Sequence, residues 1–320
     1  MTSSKTIQAR LPSGYGPQTT AREVLRSRRL DDVTAVVTGG YAGVGLETTR
    51  ALVEAGATVV VPARTPDKAR AAIAGLPRVA VEPLDLAVPA SVAEFSARFL
   101  GTDRALHILI NNAGIMAAPF ARDARGFESQ LGTNHLGHFE LTLRLWPALL
   151  RAGNARVVAL SSRGHARASV DLEDPNFDRR PYDKWMAYGQ SKTANVLFAV
   201  ALDARGQEHG VRAFAVHPGA VATDLMRSMS EDEQRAAIAR AREIGPMKTT
   251  EQGAATSVWC ATSEQLAGKG GVYCEDVDIA QPVLADSPSA TGVRPWAIDP
   301  DLAERLWTKS EVWTGVRFAA

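Results

Sequence analysis

Short apolar runs that suit buried strands alternate along this chain with segments whose apolar residues recur at helical spacing. The strand-like runs occupy 33–38, 57–61, 79–82, 106–110, 156–160 and 211–216, and the helical patterns occupy 44–55, 67–74, 89–100, 126–152 and 188–208. Strands that are apolar on both faces and alternate with helices predict a parallel sheet covered on both sides. Because crossovers between parallel strands are right-handed, we expect a doubly wound α/β sheet of about seven strands.

The chain of 320 residues is predicted to form a single domain of this Rossmann type at 31–280, because neither a Pro/Gly/Ser-rich linker nor an internal repeat interrupts it. Residues 1–30 are predicted to be an N-terminal extension, in which Thr20 and Glu23 have the spacing of a capping box. Residues 281–320 are predicted to be a C-terminal extension that is loop-like until a final helix between Asp299 and Val312.

Composition excludes several classes of protein. Lys and Arg number 36 against 35 Asp and Glu, so a net charge of +1 gives no reason to expect a nucleic acid partner. The N-terminus lacks the apolar core of a signal peptide and no apolar stretch is long enough for a membrane span, so we expect a cytoplasmic protein. Cys260 and Cys274 are expected to be small buried residues in a reducing compartment. No metal site is expected, because no carboxylate or cysteine stands at ligand spacing beside the histidines, which are His135, His138, His165 and His217.

A glycine-rich turn lies between the first strand and the first helix, where residues 38–45 read TGGYAGVG. Gly39, Gly43 and Gly45, with Val44 among them, would let the backbone approach a pyrophosphate at the helix N-terminus. The alternative is a glycine cluster that only ends a strand. Tyr41 is expected at the cofactor, where it either stacks on it or covers it.

The end of the second strand indicates which dinucleotide is bound. An NAD site usually carries an acid there for the ribose hydroxyl groups, but this segment reads VPART, with no acid before Asp67. Arg64 is suited to a 2′-phosphate, so NADP(H) is favoured over NAD(H). The alternative is an ordinary exposed arginine.

Tyr188 and Lys192 are four residues apart, so they project from one face of a helix. A nearby ammonium is expected to lower the pKa of the phenol, which would suit a proton donor to a carbonyl oxygen. Taken alone, this spacing is common on solvated helices. Ser161 and Ser162 follow one strand, and the sequence NNAG at 111–114 follows another, at the sheet edge where ligands bind.

Together these motifs resemble the short-chain dehydrogenase/reductase family, in its single-domain branch. The matching features, between Val33 and Tyr273, are the glycine turn, Asp85-Leu86, NNAG at 111–114, Asn134, Ser162, Tyr188, Lys192 and Pro218-Gly219 followed by Thr223. The words GTNHLGHF, SSRGH and YGQSKTANVL look most like the retinol-dehydrogenase-like subgroup.

The resemblance implies a catalytic role for four residues. Tyr188 would be the general acid in reduction, and Lys192 would lower its pKa and bind the nicotinamide ribose. Ser162 would hold the substrate oxygen, and Asn134 would hold a water in a proton relay. The resemblance also assigns cofactor binding to Tyr188 and Lys192 and to Asp85, Leu86, Asn112, Ala113, Gly114, Pro218, Gly219, Val221 and Thr223.

The implied reaction interconverts a carbonyl group and an alcohol on a small, apolar substrate. The alternatives are reduction of a C=C or C=N bond and a non-catalytic NADP(H)-binding regulatory protein. The resemblance leaves a homodimer, a homotetramer and a monomer open. Segment 162–188 is either a wall of the substrate site or a surface loop, and 225–247 is either a substrate lid or ordinary helix packing. The candidate substrate contacts are Met116, His165, Trp185, Leu225 and Met226.

Overall fold

The computed structural model describes residues 6–319, and it contains one sheet of eight strands. The strand order is β3-β2-β1-β4-β5-β6-β7-β8; all neighbours are parallel except β7 and β8. The strands are β1 Thr34–Val37, β2 Thr58–Ala63, β3 Val79–Pro83, β4 Ile108–Asn111, β5 Ala155–Leu160, β6 Val211–His217, β7 Val272–Glu275 and β8 Asp278–Ile279. The doubly wound fold is therefore confirmed, with one short antiparallel strand beyond the expected number.

Helices cover both faces of this sheet. They are α1 Ala21–Leu25, α2 Gly43–Glu54, α3 Pro66–Ala72, α4 Pro89–Leu100, α5 Ser129–Leu131, α6 Gly137–Arg144, α7 Trp146–Ala152, α8 Lys184–Gly206, α9 Glu231–Ile244, α10 Thr250–Thr262 and α11 Pro300–Thr314. Successive residues of a strand point to opposite faces, so Ala35 and Val37 pack with α1, α2 and α10, whereas Val36 packs with α4, α6, α8 and α11. Short 3-10 turns lie at Arg163–Arg167, Gln207–His209, Asp224–Met226, Glu264–Leu266 and Pro295–Ala297.

Two long helices differ from their predicted extent. The helical pattern at 126–152 is divided into α5, a π-helical turn at Gly132–Leu136, α6 and α7, and Pro147 lies in the first turn of α7. Helix α8 begins at Lys184 rather than at Tyr188, because Asp183 accepts hydrogen bonds from the amides of Trp185 and Met186, both at 2.8 Å. Tyr188 therefore lies in the second turn of α8.

Both extensions pack on the sheet domain that we propose at 31–280. Thr20 and Glu23 form the expected capping box of α1. The side chain of Gln8 donates to the carbonyl groups of Tyr273 (2.8 Å) and Ala280 (2.6 Å). At the other end, α11 packs on α8 through buried residues such as Trp307. Residues 1–5 and Ala320, at the outer ends of the predicted extensions, lie outside the described residues.

Candidate active site

A cavity of about 980 Å³ opens at the carboxyl ends of the parallel strands. The chain runs outward from β1 to β3 and returns to β4, so the order of strands reverses between β1 and β4, where ligands bind in open α/β sheets. Every residue expected to bind the cofactor lines this cavity: Gly39, Tyr41, Gly43, Val44, Gly45, Arg64, Asp85, Leu86, Asn112, Ala113, Gly114, Tyr188, Lys192, Pro218, Gly219, Val221 and Thr223.

The N-terminus of α2 faces the cavity without any protein group that caps it. Ala42 occupies the N-cap position and accepts no side-chain hydrogen bond, and the first turn contains no acidic residue. Its free N–H groups and the positive end of its dipole therefore suit an anionic group such as a pyrophosphate.

Small residues bring the backbone close enough for that contact. Gly43 has a φ of 51°, which lies in the left-handed region, and a Cβ atom at Gly45 would lie only 2.4 Å from the carbonyl oxygen of Gly39. Both positions therefore require glycine. The turn therefore combines the small residues and the free amides that a dinucleotide requires.

The loop after β4 is tied to the glycine turn. Thr38 Oγ1 accepts hydrogen bonds from the amides of Asn112 (2.8 Å) and Ala113 (2.9 Å), and Asn112 Nδ2 donates to the Thr38 carbonyl at 2.7 Å. These bonds hold both loops in one rigid wall of the cavity.

Arg64 stands at the end of β2, exposed and facing the cavity. Among the described residues it enters no salt bridge, whereas the nearest acid in sequence, Asp67, pairs with Arg70 at 2.7 Å. The end of β2 therefore offers a free guanidinium and no carboxylate.

Tyr188 and Ser162 meet in the cavity below this wall. Ser162 caps the turn Arg163–Arg167, and its Oγ accepts a hydrogen bond from Gly164 N–H at 3.0 Å. The buried Tyr188 ring and Ser162 Oγ both border Gly164, because a Cβ atom on that glycine would lie 2.8 Å from Tyr188 Cε1 and 3.4 Å from Ser162 Oγ. Burial raises the pKa of Tyr188 to about 12, and the Ser162 hydrogen bond opposes this rise.

Lys192 lies one turn after Tyr188 and is also buried. Its Nζ donates to the Leu160 carbonyl at 3.0 Å and lies 5.6 Å from the centre of the Tyr188 ring. Burial lowers the pKa of Lys192 to about 8. Contrary to the expectation from the Tyr188–Lys192 spacing, the pKa of Tyr188 is raised rather than lowered, because burial disfavours the phenolate.

Asn134 lies in the π-helical turn and is fully buried. Its Oδ1 accepts from Ile115 N–H at 2.9 Å, and its Nδ2 donates to Ser191 Oγ at 2.9 Å. Asn134 does not line the cavity. Gly114 lies between Asn134 and Lys192, and it has no side chain to fill the space between them. A Cβ there would lie 3.1 Å from Asn134 Oδ1 and 3.6 Å from Lys192 Nζ, so glycine leaves a gap between the two groups.

Four of the five candidate substrate contacts line the cavity, namely Met116, Trp185, Leu225 and Met226. His165 does not line it. Its ring faces the C-terminal extension, where Nε2 accepts from Arg294 N–H at 3.2 Å, and its Nδ1 donates to the Ser162 carbonyl at 2.8 Å.

Sequence reasoning missed other residues of the wall. Arg163 and Arg167 face the cavity beside Ser162, and Arg240 does so from α9. The sequence could have indicated Arg163, because it directly follows the candidate serine Ser162. Residues 288–290 of the C-terminal extension also line the cavity, and no sequence motif marks them.

Residues 6–319 contain neither a candidate metal site nor a candidate membrane span. No group of three or more His, Cys, Asp or Glu side chains there is arranged to hold a metal ion. In the same range, no helix combines the length and apolar character that crossing a bilayer requires. Cys260 and Cys274 are buried free cysteines.

Comparisons with known proteins agree with this geometry. The family model described as short chain dehydrogenase matches residues 33–234. A Streptomyces antibioticus protein named "Probable oxidoreductase" is 46% identical over 285 residues, which cover 85% of this chain and 94% of that protein. Retinol dehydrogenase 12 of Homo sapiens is 38% identical over 297 residues, covering 91% of this chain and 89% of that protein. A crystal structure of an uncharacterized protein from Mycobacterium paratuberculosis superposes with a TM-score of 0.72 at 33% identity, covering 93% of this chain and 98% of the other.

Proposed function

The chain belongs to the short-chain dehydrogenase/reductase family of oxidoreductases, in its retinol-dehydrogenase-like subgroup, and we propose that it interconverts a carbonyl group and the corresponding alcohol with NADP(H). The observation that carries the proposal is that Tyr188 and Ser162 line the cavity together, on either side of Gly164, with Lys192 one helical turn from Tyr188. Two hydroxyl donors side by side suit one substrate oxygen that gains negative charge as it is reduced.

In this proposal the two hydroxyl groups divide the work. Ser162, fixed by Gly164 N–H, holds the substrate oxygen, and Tyr188 donates a proton to it during reduction. The high pKa of Tyr188 keeps the phenol protonated at neutral pH, as a proton donor requires. In the oxidative direction Tyr188 accepts the proton, assisted by the ammonium of Lys192.

Lys192 and Asn134 are proposed to return the proton to Tyr188. The gap left by Gly114 lies between Lys192 Nζ and Asn134 Oδ1, and its size and polar walls suit one water molecule. Because burial holds the pKa of Lys192 near 8, this ammonium exchanges protons more readily than an exposed lysine does.

For the cofactor we propose NADP(H), with the pyrophosphate on α2 and a 2′-phosphate on Arg64. The uncapped N-terminus of α2 and the free guanidinium of Arg64 support this choice. A bound nicotinamide supplies or accepts the hydride. Asp85, Thr223 and the other expected contacts are proposed to orient the cofactor.

The substrate is proposed to have an apolar body. Met116, Trp185, Leu225 and Met226 offer apolar surface in the cavity. A relative is named retinol dehydrogenase 12, after an apolar alcohol, which supports the same class of substrate.

The substitution Tyr188→Phe tests the mechanism. It removes only the phenolic proton donor, so we expect kcat for ketones and aldehydes to fall about 10²- to 10⁴-fold while the Kd of NADPH stays unchanged. Turnover is followed by NADPH absorbance over a panel of carbonyl compounds. Tyr15→Phe, on an exposed tyrosine that does not line the cavity, is the matched control and should retain full activity.

Three outcomes separate the alternatives. Turnover that survives Tyr188→Phe would rule out Tyr188 as the proton donor. A wild-type protein that binds NADPH but reduces no member of the panel would favour a non-catalytic binding protein. If the protein reduces only compounds with a C=C or C=N bond, the proposed carbonyl reaction is wrong and reduction of that bond is the activity.

A further inference from the structure

We propose that the substrate carries an anionic group, in addition to its apolar body, and that Arg163, Arg167 and Arg240 bind it. This inference rests on the proposed function, because it assigns a substrate class to the same cavity. The chemistry named is that of a carboxylate, the commonest anionic group that a guanidinium binds in a small molecule.

The three arginines reach one part of the cavity from two separate elements. Arg163 and Arg167 lie on the 3-10 turn that follows Ser162, and Arg240 lies on α9. Burial lowers the pKa of Arg163, and the charges of Arg167 and Arg240 lower it further, so the three groups are near enough to act on one another. Three like charges thus line the same cavity as Tyr188 and Ser162, and Arg163 directly follows Ser162 in the chain.

No described carboxylate neutralises these arginines through a salt bridge. Two other well-buried guanidinium groups are paired with carboxylates, since Arg125 lies 2.7 Å from Asp123 and Arg212 lies 2.8 Å from Asp203, whereas the side chain of the buried Arg294 bonds to the backbone carbonyl groups of Ser287 and Ser289. Arg163 is half-buried and has no such partner among residues 6–319. A half-buried, unpaired charge is costly, so an anionic ligand that pairs with it gains affinity.

The carboxylates near this cluster are engaged or separate from it. Glu233 lines the cavity but pairs with Lys184. Glu275 acts electrostatically on Arg163 but does not line the cavity, and it accepts a hydrogen bond from Gly292 N–H at 2.6 Å. Asp224 also lines the cavity and forms no salt bridge with the three arginines. Its single negative charge is outnumbered by their three positive charges, so this side of the cavity has a net positive charge.

The cluster borders the apolar surface rather than replacing it. The guanidinium carbon of Arg167 lies 5.5 Å from the centre of the Trp185 ring, which fixes the charge against an aromatic wall. Ile238, Ala241 and Met247 line the same cavity. The site therefore offers an apolar surface next to a cationic one, which matches an amphipathic carboxylic acid.

The first experiment compares two ketones that differ by one charge, 5-oxo-5-phenylpentanoate and its methyl ester. With NADPH as reductant, we expect the wild-type protein to have a higher kcat/KM for the acid. Arg163→Gln should lower that value about tenfold to a hundredfold and leave the value for the ester within about threefold, because only the acid loses a charge-assisted bond.

Two further variants guard against a change in folding. Arg240 is exposed on α9, so Arg240→Gln should not disturb folding. It should lower kcat/KM for the acid but not for the ester, as Arg163→Gln does. Arg242→Gln lies on the same helix, exposed and outside the cavity, and should change neither substrate. An equal loss on acid and ester in both cavity variants, or a preference for the ester in the wild type, would overturn the inference.

A binding measurement separates this inference from the proposed reaction. Calorimetry in the absence of cofactor compares 5-phenylpentanoate with 5-phenylpentan-1-ol, neither of which has a ketone or aldehyde group to reduce, and the alcohol cannot be oxidised without NADP⁺. If the wild type binds the carboxylate more tightly than the alcohol and Arg163→Gln does not, the anionic site is supported. That conclusion holds even if neither ketone is reduced, because failure of both ketones would count only against the proposed reaction. If both ketones are reduced while the carboxylate binds no tighter than the alcohol, the reaction stands and the anionic site falls.

Discussion

Arg64 is the residue on which the proposed choice between the two nicotinamide cofactors depends. Its free guanidinium is the only group we propose for the 2′-phosphate, so Arg64→Gln should raise the KM for NADPH about tenfold to a hundredfold and leave the KM for NADH unchanged. Steady-state kinetics with both cofactors measure the effect. Arg70→Gln, on an arginine of α3 that pairs with Asp67 and does not line the cavity, is the control.

A wild-type preference for NADH, or an unchanged preference in Arg64→Gln, would contradict this assignment. Either result would direct attention to other groups at the end of the cavity proposed for the adenine, among which Leu84, Asp85 and Leu86 directly follow β3. The pyrophosphate contact on α2 would not be affected, since it depends on backbone amides.

At this scale the sequence predicted positions better than it predicted pKa values or orientations. The sequence could bring Tyr188 and Ser162 together because Tyr188 begins a recognisable helical pattern and Ser162 follows the end of a recognisable strand. The raised pKa of Tyr188 depends on burial by the whole fold, which residue spacing does not encode. His165 is three residues from Ser162, yet its ring faces away from the cavity because the C-terminal extension supplies its hydrogen-bond partner.

Helix α11 shows how an element outside the matched family region stabilises the core. Trp307 is buried against Phe139, with ring centres 4.9 Å apart, and it stacks parallel to Phe198 at 6.0 Å. Arg205 of α8 lies 4.2 Å from the centre of the same indole ring. The helix is thus held by one large aromatic anchor on α8 and its neighbours.

Removing that anchor should destabilise the protein strongly. Trp307→Ala leaves a cavity in a packed aromatic cluster, so we expect the free energy of unfolding to fall by about 3–5 kcal/mol in urea titrations. Val312→Ala on the same helix is the control, because Val312 is 72% exposed and its truncation should cost almost nothing. Equal losses in the two variants would show that α11 does not depend on Trp307.

The elements themselves were predicted where periodicity is strong. Strands β1 to β6 and helices α2, α4 and α8 lie within a few residues of their predicted bounds. The pattern at 126–152 could not show its divisions, because apolar periodicity continues across a π-helical turn that shifts the register by one residue. Helix α10 was not assigned, because almost all of it is buried and it therefore lacks an amphipathic pattern.

Across the whole molecule, neutral histidines hold the C-terminal extension to the catalytic domain that we propose. His165 donates from Nδ1 to the Ser162 carbonyl and accepts at Nε2 from Arg294 N–H, so it cannot take a second proton without losing the bond to Arg294. His135 Nε2 lies 2.8 Å from Ser310 Oγ of α11. Helix α11 packs on α8, and the resemblance leaves a homodimer, a homotetramer and a monomer open, so the oligomeric state remains a prediction.

These buried histidines should make the protein sensitive to acid. Burial lowers the pKa of His135 to about 3, and those of His138 and His165 to about 4, below the ordinary value near 6.5. Above pH 6.5 both the folded and the unfolded chain keep these rings neutral. Below pH 6.5 the histidines of the unfolded chain become protonated, whereas these buried rings stay neutral in the folded chain. Each ring therefore lowers the free energy of unfolding by about 1.4 kcal/mol per pH unit, until the pH reaches its pKa in the folded protein.

Urea unfolding at pH 7.5, 6.5, 5.5 and 5.0 measures this loss, and His165→Gln isolates one ring's share of it. Glutamine keeps one donor and one acceptor but does not titrate, so the variant should lose stability less steeply than the wild type below pH 6.5, by about 1.4 kcal/mol per pH unit. At pH 7.5 the histidine is neutral in both the folded and the unfolded chain. The difference in free energy of unfolding between the two proteins at that pH is therefore the baseline for the values at lower pH. Parallel curves for the two proteins between pH 6.5 and 5.0 would mean that His165 takes up its proton in the folded state and that acid does not act on the C-terminal extension through this ring.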